Sequence, residues 1–118
     1  MIATTIEQSK RLLEAGIDTK TADMYYKNNL SWLVDKEPQY SAIPSAGSPV
    51  NALEWYNKGY TASGKGPMSL LHFCFPAWSL SALIRLCPEH VPYRIIRTRG
   101  KDIEGIFEDC VTYLCKKK

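Results

Sequence analysis

The chain has 118 residues, 45% of them apolar and 23% charged, with a formal net charge of +3. That length suits one domain, 1–118, with one modest core, and seven tyrosines with three tryptophans exclude a wholly disordered chain. A membrane span is excluded as well, because the longest apolar run, Leu70 to Ala77, is broken by His72 and Pro76 and falls far short of the roughly 20 residues a bilayer demands.

The first predicted element is a helix from Thr5 to Ala15, with Thr5 and Gln8 spaced as a capping box and Gly16 as a left-handed stop. Asp18 to Thr21 reads as a turn or the cap of a short helical turn, leading to Met24-Tyr25-Tyr26. Leu30 to Val34 has the composition of a strand. Residues 35–49 hold three prolines among serines and form the main irregular connection. Ser48 and Pro49 then supply an N-cap and a first helical residue, predicting a helix over 49–58 with Val50, Leu53 and Tyr56 on one side. Thr61 to Pro67 reads as a loop and Ser69 to Phe75 as a short buried strand.

Pro76-Ala77-Trp78-Ser79-Leu80-Ser81-Ala82-Leu83 is the best-defined local signal. Ser79 is a natural N-cap, Trp78 can staple onto Leu83, and Leu80, Leu83, Ile84 and Cys87 share one helical face that Pro88 closes. Tyr93 to Thr98 reads as a strand. Asp102 opens a last helix, whose Ile103, Ile106, Phe107, Cys110, Val111 and Leu114 form the clearest apolar stripe. The alternation of helix and strand predicts an α+β fold: a small sheet of three or four strands packed against helices, with parallel or mixed pairing. A three-layer α/β arrangement is the alternative.

Thr21-Ala22-Asp23-Met24, with Glu7 to Gly16 before it, and Pro76 to Leu83 resemble a family of small uncharacterised proteins from prophages and mobile elements of Bacteroides-type gut bacteria. The resemblance covers about half the chain and includes a terminal amphipathic helix; Asp35 to Pro67 lies outside it. It implies a genomic setting and an accessory role, and it carries over no functional residue.

The N-terminus has neither the basic start nor the apolar centre of a secretory signal, so residence in the cytoplasm is expected. Cys74, Cys87, Cys110 and Cys115 lack the paired spacing of a disulfide framework and are expected as reduced thiols. Gly59 to Gly66 has the spacing of a phosphate-binding loop up to Lys65. Gly66 then stands where a hydroxyl must reach Mg²⁺, and Pro67 follows, so a nucleotide is not expected there. His72, Cys74, Cys87 and His90 offer the two nitrogens and two sulfurs of a zinc set, though without its usual spacing; buried structural cysteines are the preferred reading, and no cofactor is expected. Glu104, Glu108 and Asp109 lie opposite the apolar stripe and read as its solvated face rather than as acid-base groups.

Positions 1–59 carry six basic and seven acidic residues, and positions 60–118 carry nine and five. The surplus sits in Arg94, Arg97, Arg99 and Lys101, read as a basic edge strand, and in Lys116-Lys117-Lys118. Two functional readings follow. The first is a non-enzymatic accessory protein acting through a protein partner or a homo-oligomer, with Trp55, Tyr56 and Tyr60, together with Tyr40, as the candidate interface. The alternative is a nucleic-acid-binding module built on Arg94, Arg97, Arg99 and Lys101.

Overall fold

The first helix shows how closely local chemistry dictates backbone here. In the computed structural model, which describes residues 2–28, 39–54 and 74–117, α1 runs Ile6–Glu14. The Gln8 amide donates to Thr5 Oγ1 at 3.1 Å and the Thr5 amide to Gln8 Oε1 at 3.0 Å, so each of two N–H groups that a helix start leaves without a partner is satisfied by the other residue's side chain. At the other end Gly16 adopts φ 88°, a conformation that costs little only without a Cβ. Its amide donates to Leu13 O, and that of Ile17 to Leu12 O, which is the Schellman closure. Leu12 and Ile17 both end in the core.

Asp18 then accepts from the Lys20 amide and caps a 3₁₀ turn at Thr19–Thr21, as the turn chemistry predicts. The chain next forms β1 (Met24–Lys27), the central strand of an antiparallel sheet ordered β2-β1-β3, with β2 at Ser45–Ala46 and β3 at Cys74–Ala77. Met24 faces Ala77 and Lys27 faces Cys74. Pro76, which has no N–H for a ladder, lies in β3 at the edge of the described sheet, where a strand can hold proline.

A helix starting at 49, α2, is described over 49–54, as the Ser48-Pro49 start predicts. Three helices follow β3: α3 (Leu80–Leu86), α4 (His90–Arg99) and α5 (Ile103–Lys117). Ser79 caps α3 by accepting from the Ala82 amide at 3.2 Å. Helix α5 is the hub, packing against α1, α3 and α4, while α1 also lies on β3. Its Ile106, Phe107, Cys110, Val111 and Leu114 meet Leu12, Trp78 and Leu83 in the main core. A smaller cluster of Ala3, Tyr26, Phe75 and Ala77 lies against the sheet. The α+β expectation is borne out.

Several expectations are corrected. Pairing is antiparallel throughout the described sheet, not parallel or mixed. The span Tyr93 to Thr98 is helical rather than a strand: Val91 and Ile95, one turn apart, pack toward the main core, and Pro92 sits in the first helical turn, where its missing N–H costs nothing. Met24 to Lys27 is a strand that the composition did not announce. Strand β3 starts, within the described residues, at Cys74 and runs on through Pro76 and Ala77. The buried face of α3 turns toward Ala82 and Leu83, leaving Ile84 half-buried, and Ile103 is 42% exposed, outside the stripe it was assigned to. The predicted strand Leu30 to Val34, the end of the 49–58 helix, the loop at 61–67 and the start of the 69–75 strand lie outside the described residues.

Candidate functional site

Segments 21–24 and 76–83 meet each other. The Trp78 indole donates to Thr21 Oγ1 at 2.9 Å, the Ser79 amide to Asp23 Oδ1 at 2.8 Å, and the Ser79 hydroxyl to Asp23 Oδ2. Next to them, buried Thr4 exchanges backbone and side-chain bonds with Trp78: its amide donates to Trp78 O at 2.9 Å, and its hydroxyl accepts from the Trp78 amide at 3.0 Å. Thr4 Oγ1 also lies 2.8 Å from Ser9 Oγ, and the Tyr26 hydroxyl donates to Thr4 O. Buried polar groups are expensive unless paired, and here they pair with one another across α1, β1 and β3. Ser79 is a helix cap bonded to a carboxylate, so its hydroxyl is committed to backbone positioning.

A second polar cluster joins α1 to α5. Gln8 Nε2 donates to Glu108 Oε2 at 2.8 Å, while the Arg11 guanidinium reaches both Glu108 Oε1 at 2.5 Å and Thr112 Oγ1 at 3.2 Å. Glu108, paired with Arg11, and Asp109, paired with Arg99, are half-buried, which corrects the solvated-face reading; Glu104 alone of the three is exposed. The Gln8 hydrogen bond and then Arg11 hold the Glu108 carboxyl below its ordinary value, and Arg99 does the same for Asp109. A carboxylate with a depressed folded-state pKa adds stability at pH above its unfolded value, and loses that contribution as pH falls through the folded value. The protein is therefore expected to weaken on acidification below the ordinary value of 4.5 for Glu108. Water screens this pair, so its share is under about 1 kcal/mol. Urea midpoints from neutral to acidic pH check this: Glu108→Gln should flatten the acid limb, and an unchanged limb would contradict the assignment.

The cysteines are free. Cys74, Cys87 and Cys110 are buried, and burial pushes Cys74 up to about 11 and Cys110 up to about 12. Cys115 is only partly covered. A thiol probe applied to the folded protein is expected to modify Cys115 first, with the other three reacting only on unfolding; comparable labelling of Cys74 or Cys110, mapped by mass spectrometry, would refute this. Cys87 lies in the main core beside Cys110, Cys74 contacts Pro49 O, and His90 is exposed, so these three do not converge. His72 lies outside the described residues. Among the described residues no three His, Cys, Asp or Glu side chains gather as a metal set.

Of the basic segment, Arg94, Arg97 and Lys101 point to water, whereas Arg99 is drawn away. Its Nε and Nη2 grip the two Asp109 oxygens at 2.7 and 2.9 Å, and Asp102 lies 3.6 Å off. A spacing of three residues puts Arg94 and Arg97 along one side of α4, which ends at Gly100 with φ 61°; Lys101 follows in the turn beyond it. None of the three has an ion-pair partner among the described residues. Tyr93 and Ile96 share that outer face at 69% and 41% exposure. Around the helix a groove of about 320 Å³ separates α4 from α5, with Arg94 and Lys116 among its lining residues. The fold thus joins the two halves of the basic surplus, which are far apart in the chain. The candidate interface residues Trp55, Tyr56 and Tyr60, like the loop at 59–66, lie outside the described residues.

Fold and surface together define an α+β protein whose conspicuous polar side chains hold its elements together and whose α4 face is cationic, aromatic and open to solvent. No protein-family model, curated protein or solved structure matches the chain. No helix among the described residues is long and apolar enough to cross a membrane.

Proposed function

We propose that the chain is a non-enzymatic accessory protein that binds another protein through the outer face of α4. The observation that carries this reading is the exposure of Tyr93 and Ile96 beside Arg94 and Arg97. Leaving a large aromatic and a branched aliphatic residue in water forgoes burial energy, and tyrosine and arginine are both enriched in protein interfaces. The face suits a different protein better than a second copy of itself. A two-fold contact centred on α4 would set Arg94 and Arg97 against their own counterparts.

A nucleic-acid-binding role is the second reading, favoured by the exposure of Arg94, Arg97 and Lys101 without carboxylate partners among the described residues. One experiment separates the two. The chain and a Tyr93→Ala/Arg97→Glu variant are used as bait in a lysate of the source cells, with and without nuclease. The protein reading expects a discrete protein, retained through nuclease and lost with the variant. Retention of nucleic acid that weakens steeply with salt supports the second reading. Identical capture by both baits overturns the placement of the interface on α4.

A further inference from the structure

We propose that the groove between α4 and α5 seats an acidic linear segment of the partner protein, with carboxylates at one end and apolar side chains at the other. This rests on the protein-binding reading and specifies its partner. Arg94, from α4, and Lys116, from α5, both line the groove, and neither has an ion-pair partner among the described residues. The groove's own acid, Asp109, is neutralised by the two-point grip of Arg99, so an incoming carboxylate meets a net positive site.

Beside polar His90 and Thr112 the lining has an apolar part: Val91 is buried, and Ile95 and Tyr113 are half-buried. A leucine-sized side chain gains by covering that apolar part, whereas a phosphate backbone gains nothing from it. The volume, about 320 Å³, is at the small end of ligand sites, which run from roughly 300 to 1,000 Å³.

Tyr113 also borders a second groove, of about 480 Å³, whose wall includes Ile17, Leu86, Pro88 and Leu114. The two grooves share Tyr113 in their linings, and the proposed segment runs from one to the other past that ring. Charge sets its direction. Asp18 lines the second groove and repels carboxylates, so the acidic end of the segment lies by Arg94 and Lys116 and the apolar end by Leu86 and Leu114.

The test is fluorescence polarisation of the full chain with three short labelled probes: a peptide with glutamates at one end and leucines at the other, the same peptide with its leucines changed to serine, and an oligothymidylate of equal charge. The first should bind saturably. Changing its leucines to serine, or the protein's Arg94→Glu or Lys116→Glu, should each weaken binding about tenfold, a loss of roughly 1.4 kcal/mol. Both substitutions are at the surface and should leave the melting temperature unchanged. Absent binding of the first peptide, indifference to both charge reversals, or equal binding of the oligothymidylate would each overturn the proposal. If the peptide fails while the Tyr93→Ala/Arg97→Glu bait still loses its protein, the groove assignment falls and the protein-binding reading stands.

Discussion

Trp78→Ala is expected to cost about 3–5 kcal/mol of unfolding free energy, a large part of the 5–15 kcal/mol typical of a small domain (roughly). Trp78 is fully buried in the main core, where it meets side chains of α1, α3 and α5. Its backbone exchanges two bonds with Thr4 and its indole a third with Thr21. Alanine keeps the backbone bonds, but it opens a cavity against Phe107 and Leu83 and strands the α3 cap without the staple above it. Trp78→Phe fills most of the cavity and loses only the indole donor, so about 1–2 kcal/mol is expected. Urea unfolding followed by far-ultraviolet circular dichroism measures both; an alanine variant with a native midpoint would contradict the core assignment.

Thr4→Val comes next, at about 2–3 kcal/mol. Valine nearly matches threonine in shape, so packing is preserved and the loss is polar. Trp78 keeps its bond to the Thr4 amide through its carbonyl, but its own amide and the Ser9 hydroxyl lose the partner they share at Thr4 Oγ1. Each buried group left unsatisfied costs about 1–3 kcal/mol. Ser9→Ala should cost less, because Thr4 then still receives the Trp78 amide. The double variant should lose less than the sum of the two single ones, since Thr4→Val no longer orphans a Ser9 hydroxyl. Strict additivity in a denaturation series would show that the two hydroxyls do not share a bond.

What could be read from the chain was what local chemistry determines. The Thr5–Gln8 box, the Gly16 closure, the Ser79 cap and the stripe on α5 each depend on residues within a turn or two, and each forms as read except that Ile103 falls outside the stripe. Tyr93 to Thr98 misled because Ile95 and Ile96 have strand-like composition over a stretch too short to show its period. The spacing of Val91 and Ile95 and the position of Pro92 were the available signals for a helix. Strand β1 stayed hidden for a different reason. Met24 to Lys27 is only partly buried, and its pairing with β3 depends on residues about fifty positions away that no local pattern encodes.

The same limit governs the site. Nothing near Thr21 or Asp23 announces Trp78 and Ser79 as their partners, and nothing near Arg94 announces Lys116. Arg99 belonged to the basic segment by sequence and leaves it in the structure, because the hairpin of α4 and α5 puts Asp109 within reach. The segments with the most recognisable residues thus turn out to be where the fold is fastened. The surface proposed for binding is made of residues that no motif marks.

The most direct test of that division pairs two variants and two readouts. Asp23→Ala removes both bonds that Asp23 makes to Ser79 and should lower the melting temperature by about 5 °C or more, yet retain the captured protein when assayed cold. Tyr93→Ala/Arg97→Glu should melt as the parent chain does and lose that protein. An Asp23→Ala protein that melts normally but no longer captures its partner would contradict the account, because it would place function where only fastening is assigned.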